Sequence, residues 1–225
     1  MADYIKIDKN EVIYIREEIV KKVGIDSFVA SIEKNMGVNT GILPRNCLFM
    51  RQSGEKCAYL VEVPAGLVPV SFKDERSNVI NYMISIPFTQ FYVICNPVAN
   101  TILNIYMSVT KTPITSMEQS VFIAPYLNIF GQGTSNVCTG SMQIPQDVPL
   151  NMKVNATVST FFEADFNADL TPTTFGGIRW VNAKDYITKW AKLTAKDRFF
   201  ACAPDTIYKT HDLSPMKIIE RGLGE

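Results

Sequence analysis

The order of hydrophobic patterns predicts an α+β fold with one core. Three features support this: β-rich runs separated by polar or Pro/Gly breaks from residue 47 to residue 109, two helical patterns only after them, and no internal repeat or low-complexity tract. At 225 residues, 47% hydrophobic and 20% charged, the chain is long enough to bury a sizeable core. The expectation is a single domain over 1–225, with 1–40 an N-terminal extension of short strands and a helix, 41–200 the core and 201–225 a tail.

Taken in order, Ile5, Ile7 and Val12 to Ile15 alternate with charged neighbours and predict one or two short strands before Glu17 to Lys22 turn charged. Asp26 or Ser27 is suited to cap a short N-terminal helix through Asn35, with Phe28, Val29 and Ile32 on its apolar face and Gly37 ending it. Cys47 to Met50 and Ala58 to Val63, separated by Gln52-Ser53-Gly54-Glu55, predict a hairpin. Val68 to Phe72, Val79 to Ile86, Phe91 to Cys95 and Thr101 to Val109 continue it as an antiparallel meander, with Lys73 to Asn78 a charged turn. Asn155 to Asn167 then spaces Val158, Phe161, Phe162 and Phe166 as one helical face, and Asn182 to Lys196 does the same with Tyr186, Ile187, Trp190 and Leu193.

Composition excludes several functions. Lys+Arg and Asp+Glu are both 22, so net charge gives no reason to expect a nucleic acid or an acidic membrane as partner. The first residues lack a basic segment followed by an apolar one, and no apolar run of about 18 residues could span a bilayer, so the expected location is cytoplasmic. Five cysteines without a C-x-x-C pair fit reduced thiols better than disulfides or a zinc cage, and a single histidine, His211, rules out a His-rich metal site. No metal and no cofactor is expected. His211 stands beside Asp212 in a polar segment and reads as solvated.

One stretch is suited to present a thiol. Ala124-Pro125-Tyr126-Leu127-Asn128-Ile129-Phe130 leads into Gly131-Gln132-Gly133-Thr134-Ser135-Asn136, and the chain leaves through Val137-Cys138-Thr139-Gly140-Ser141. The glycines permit a tight tip, and Thr139, Gly140 and Ser141 place no bulk over a neighbouring sulfur, so Cys138 is the candidate centre. A thioester carrier needs a reachable thiol and a donor for the developing oxyanion, and it needs no strong base when the acyl group arrives on another thioester. The competing reading is a packed cysteine, since small sulfur side chains are often buried. Cys47, Cys57 and Cys95 read as core and Cys202 as structural. Gly131-Gln132-Gly133 is followed by neither a lysine nor a helix, which excludes a phosphate loop.

Several segments resemble the prokaryotic relatives of ubiquitin-conjugating enzymes, and within them the PRTRC system protein B family of mobile-element gene clusters. They are Leu43-Pro44-Arg45-Asn46, Ile84-Ser85-Ile86-Pro87, Ala124-Pro125-Tyr126 with Asn128, Val137-Cys138-Thr139-Gly140-Ser141-Met142, and Phe161-Phe162. The resemblance implies a UBC-like fold: an antiparallel strand meander with an N-terminal helix and C-terminal helices. It implies Cys138 as acyl carrier for a ubiquitin-like modifier delivered by an activating enzyme, with Asn128 near the thioester and Pro125, Tyr126, Gly131, Gly133, Thr139, Gly140 and Ser141 as the supporting loop. Two departures stand out: Pro125-Tyr126-Leu127-Asn128 replaces the expected His-Pro-Asn, and the stretch from asparagine to cysteine is longer. Asn128 is equally suited to form a turn with its own backbone. The alternative function is a catalytically inactive UBC-like interaction scaffold of a PRTRC-type system.

Overall fold

The computed structural model of the chain describes residues 4–8, 11–15, 19–24, 43–130, 135–140 and 142–225. It divides into two units, Met1–Ile42 and Leu43–Glu225. In the first, β1 (Tyr4–Asp8), β2 (Glu11–Ile15) and β3 (Ile19–Gly24) form an antiparallel sheet with β2 in the centre. Where the sequence suggests that strand structure stops before the charged residues, β3 runs through Lys21 and Lys22. It lies at the edge of its sheet. The helix expected from Asp26 or Ser27 to Asn35 lies outside the described residues.

The second unit is an α+β arrangement built on an antiparallel meander. Strand β4 (Cys47–Ser53) turns through Gly54 and Glu55, with Gly54 at φ 56°, into β5 (Lys56–Val63). Strands β6 (Gly66–Lys73) and β7 (Val79–Ile86) pair only with each other as a separate two-stranded sheet. The chain then returns as β8 (Phe88–Asn96), β9 (Thr101–Thr110) and the short β10 (Phe122–Ile123). The resulting five-stranded sheet has the order β10-β9-β8-β5-β4, so the meander is interrupted by a hairpin and β5 pairs directly with β8.

Both faces of the central strands are buried, and the side-chain alternation shows how. Cys57, Tyr59 and Val61 of β5 and Phe91, Val93 and Cys95 of β8 join the larger core, whereas Ala58, Leu60, Tyr92 and Ile94 join a smaller one behind the sheet. That is why these strands read as continuous apolar runs. The larger core is closed by α1 (Leu150–Glu163), through Phe161 and Phe162, and by α2 (Ala183–Lys196), through Tyr186, Ile187 and Trp190. Asn182 caps α2 by accepting from the Asp185 N–H at 2.8 Å. The helix predicted over 155–167 starts earlier, after Pro149, and stops at Glu163 because Ala164 turns extended. Phe166 is therefore not on the helix; its backbone bridges β6, with its N–H bonded to Ser71 O and its carbonyl to Lys73 N–H, both at 2.8 Å.

Residues 201–225, expected as a tail, carry a further helix, α3 (Pro215–Leu223), which sets Ile218, Ile219 and Leu223 on the rear of the sheet. Its Gly222 permits close approach: a Cβ there would lie 2.5 Å from Ile94 Cδ1. His211, expected to be solvated, is 6% exposed. Thr210 bridges Phe122 of β10 and the His211 N–H bonds Val121 O at 2.8 Å, which draws the ring inside. Its Nδ1 accepts from the Leu213 N–H at 3.0 Å, and Nε2 is buried with no partner among the described residues.

Two outcomes are expected. Gly222→Ala gains about 0.8–1 kcal/mol of helix propensity but overpacks Ile94 at a cost of about 1–3 kcal/mol, so it should lower stability by roughly 1 kcal/mol in denaturant unfolding. Adding Ile94→Val, which removes the clashing Cδ1, should recover part of that loss. Burial holds the His211 imidazole below its ordinary value of 6.5. Below that pH the unfolded chain takes up a proton that the folded one resists, so stability falls as pH drops. Tm should decline from about pH 7.5 to about pH 5.5, and His211→Asn should flatten the decline.

Candidate functional site

The candidate site is a hairpin laid on the free edge of β9. After β10 pairs with Val109 and Ser108, the chain leaves the sheet through Ala124 to Ile129, all buried, and comes back at Ser135. Ser135 to Val137 then add to β9: the Met107 N–H bonds Ser135 O and the Val137 N–H bonds Ile105 O, both at 2.9 Å. On their outer side the same residues pair with the outgoing arm. The Phe130 N–H bonds Asn136 O and the Cys138 N–H bonds Asn128 O, both at 2.8 Å, around an antiparallel bridge between Ile129 and Val137. Gly131 and Gly133, expected at the tip, lie outside the described residues, as does Ser141. Ser135 enters the return arm at φ 50°, a left-handed conformation that few side chains adopt.

Tyr126 anchors the outgoing arm. Its ring is fully buried, stacks on Trp190 at 5.7 Å and meets Phe161 and Phe162 edge-on at 5.5 and 5.6 Å. Thr89 Oγ1 gives its one hydrogen to Pro87 O, so the Tyr126 hydroxyl donates to Thr89 Oγ1 at 2.6 Å. Burial pushes the Tyr126 hydroxyl well above its ordinary value and keeps it a neutral donor. Pro125 offers its carbonyl to the Tyr186 hydroxyl at 2.9 Å. These two buried residues fix the hairpin to the helices.

The register brings Asn128 and Cys138 opposite each other, where side chains on paired strands lie about 5 Å apart at Cβ. Asn128 is 4% exposed and its amide donates to Asp165 O at 3.2 Å, which ties the hairpin to the chain leaving α1. Cys138 is half-buried, as Cys47 and Cys202 are, and Thr139 and Gly140 after it are exposed. A Cβ on Gly140 would sit 3.9 Å from the Cys138 Sγ, so glycine leaves uncovered a side of the sulfur that any other residue would touch.

The remaining thiols are held back. Cys57 and Cys95 face each other across β5 and β8 at 1% and 0% exposure, and the Cys57 sulfur together with burial pushes the Cys95 thiol up. Cys47 and Cys202 are half-buried, and burial raises both. His211 is bonded to Leu213 and not to a thiol. No cluster of His, Cys, Asp or Glu suited to a metal occurs among the described residues, and no described helix is long and apolar enough to cross a membrane.

Alongside the hairpin opens a cleft of ≈ 400 Å³. It is walled by Phe130, Asn136, Val137 and Thr139 on one side and by the start of β9, Ile144, Gln146 and Lys153 on the other. Sequence reasoning missed it, because only its hairpin wall belongs to the stretch singled out in the sequence, and the opposite wall comes from β9, Ile144, Gln146 and Lys153.

The family model of prokaryotic E2 family D matches residues 24–216. No curated protein and no solved structure matches the chain.

Cys138 should be alkylated in the native protein, with Cys57 and Cys95 unmodified until denaturant is added, as read by peptide mapping. Gly140→Val, which sets methyl groups against the sulfur, should slow modification of Cys138 by about an order of magnitude without altering the other four thiols.

Proposed function

Because the chain belongs to prokaryotic E2 family D, we propose that it carries the C-terminal carboxyl of a ubiquitin-like modifier as a thioester on Cys138. The single observation behind this is the half-buried Cys138 at the exit of a hairpin whose backbone is fixed on both sides, with Gly140 leaving space beside the sulfur. The Cys138 thiolate attacks the carbonyl carbon of the modifier's thioester on its activating enzyme. A tetrahedral oxyanion forms, the old C–S bond breaks, and the activating enzyme's cysteine leaves as thiolate while the new C–S bond remains. An acceptor amine then attacks the Cys138 thioester: its C–N bond forms, the C–S bond to Cys138 breaks, Cys138 leaves as thiolate and the surplus proton on nitrogen passes to solvent. Exchange between thioesters needs little proton transfer, which suits a chain with one histidine held elsewhere.

Asn128 is the proposed oxyanion donor. One of its two amide hydrogens goes to Asp165 O, which fixes the plane of the amide and leaves the second for the oxyanion. Within the family, the segments around residues 43–46, 84–87 and 137–142 support kinship with PRTRC system protein B, and with it a setting in mobile-element gene clusters. The second reading, a non-catalytic interaction scaffold, draws on the same asparagine: an amide buried and bonded to a main-chain carbonyl also serves simply to tie hairpin to helix.

The test supplies a cognate activating enzyme, its ubiquitin-like modifier and ATP. Wild type should form an adduct that thiols cleave, and Cys138→Ser an oxyester that survives thiols. Asn128→Ala should slow both loading and discharge to amine, each passing through an oxyanion, by up to about 10²–10³-fold. Absence of an adduct on both proteins would sink the carrier reading in favour of the scaffold.

A further inference from the structure

A pair of thiols lies apart from Cys138. Cys57 and Cys95 stand directly opposite each other on β5 and β8. Residues opposed in this way across an antiparallel pair have Cα atoms about 4.5–5.5 Å apart, inside the roughly 4.4–6.8 Å that a disulfide spans. Their side chains are already hydrogen-bonded to each other. The sheet itself therefore brings the two sulfurs together, and joining them asks little movement of the backbone. The other cysteines are placed differently. Cys47 stands opposite Val61 with its thiol bonded to Phe49 O, and Cys138 lies on the hairpin beyond β9.

The two thiols are not equivalent. The Cys57 sulfur takes hydrogen bonds from Cys95 and from the Tyr59 hydroxyl, and these hold its thiol below the ordinary range in spite of burial. Burial keeps the Tyr59 hydroxyl protonated, so it remains a donor. Cys95 is pushed up, by its bond to Cys57 and by burial. One sulfur is inclined to ionise and the other to keep its proton, which are the roles of nucleophile and resolving thiol in an oxidation. Their places in the strands give access. Cys57 is the second residue of β5, after the turn at Gly54 and Glu55, and Cys95 is the last but one of β8, where the ladder to β9 shifts register between Ile94 and Cys95. Strand ends beside turns open at lower free energy than strand centres, and a water-sized oxidant needs a smaller opening than an alkylating reagent does.

We infer that Cys57 and Cys95 are a thiol–disulfide couple, joined across β5 and β8 by hydrogen peroxide and reopened by a dithiol. The Cys57 thiolate attacks one peroxide oxygen. The O–O bond breaks, hydroxide leaves and takes up the proton that Cys57 released, and the sulfur becomes a sulfenic acid. Cys95 then attacks that sulfur: the S–S bond forms, the S–O bond breaks, and the Cys95 proton departs with the hydroxide as a second water. The two thiols are oxidised by two electrons in all and the peroxide is reduced to water. The bond staples neighbouring strands inside the five-stranded sheet and restricts the unfolded chain, so the oxidised protein is the more stable one. None of this rests on the carrier reading of Cys138.

The experiment treats the full chain with hydrogen peroxide, unfolds it in iodoacetamide, digests it without reductant and maps the peptides by mass spectrometry. The Cys57 and Cys95 peptides should appear as one cross-linked species in most molecules, and dithiothreitol should release them. The oxidised protein should melt about 5 °C or more above the reduced one, and Cys95→Ala should show no such difference. Cys138→Ala should form the cross-link as the wild type does. Peroxide that leaves Cys57 and Cys95 open to alkylation, or that joins either of them to a different cysteine, overturns the inference, as does a cross-link that requires Cys138. Should Cys95→Ala fail to fold, the wild-type map and the paired melting curves decide alone, and a cross-linked protein that melts no higher than the reduced one overturns the staple.

Discussion

The site depends on the requirement that buried backbone groups be paired. Strand β10 covers only two residues of β9, which leaves the N–H of Met107 and the carbonyl of Ile105 at a buried edge. Ser135 to Val137 fill that edge, and in doing so they face outward with a second set of donors and acceptors that the outgoing arm, Asn128 to Phe130, must satisfy. Cys138 is the first residue beyond this doubly bonded segment. Its position is set by main-chain bonds on β9 and on Asn128, and no charged neighbour is needed to hold it.

The packing on the other side of the hairpin is aromatic. Tyr126, Trp190, Phe161 and Phe162 form a continuous group that binds the outgoing arm to both α1 and α2, and the Ile84 to Pro87 segment joins it through the backbone. The Ser85 carbonyl accepts from Trp190 Nε1 at 3.0 Å, and the Ser85 N–H donates to Thr194 Oγ1 at 2.9 Å. Side chains of this size lose little conformational entropy for the area they bury, and their polar ends are matched, so the group resists repacking. A thiol mounted on it is held in place while its own turn, Thr139 to Gly140, stays open.

Much of this was legible in the chain. The β-rich runs and the helix over 182–196 follow from periodicity, because each is long and its apolar residues fall on defined faces. The small residues after Cys138 announce the open space that Gly140 leaves beside its sulfur. What was not legible has identifiable causes. The apolar positions of 155–167 suit a helix, but the backbone of Phe166 is claimed by β6, a tertiary bond that no local pattern announces. Residues 201–225 look polar because α3 is short and buries a single stripe, Ile218, Ile219 and Leu223, among charges. His211 is drawn inside by bonds to β10, a strand of two residues that lacks any periodicity to detect. The cleft is an assembly of loops and strand ends, which no single stretch of sequence announces.

The helix behind the sheet has a consequence for how partners approach. With α1 and α2 on one side of β5 and β8 and α3 on the other, neither broad surface of the five-stranded sheet is left bare for a visitor. The apolar side chains that this sheet leaves in solvent therefore stand at its rim, as Leu48 does on β4 and Leu103 on β9.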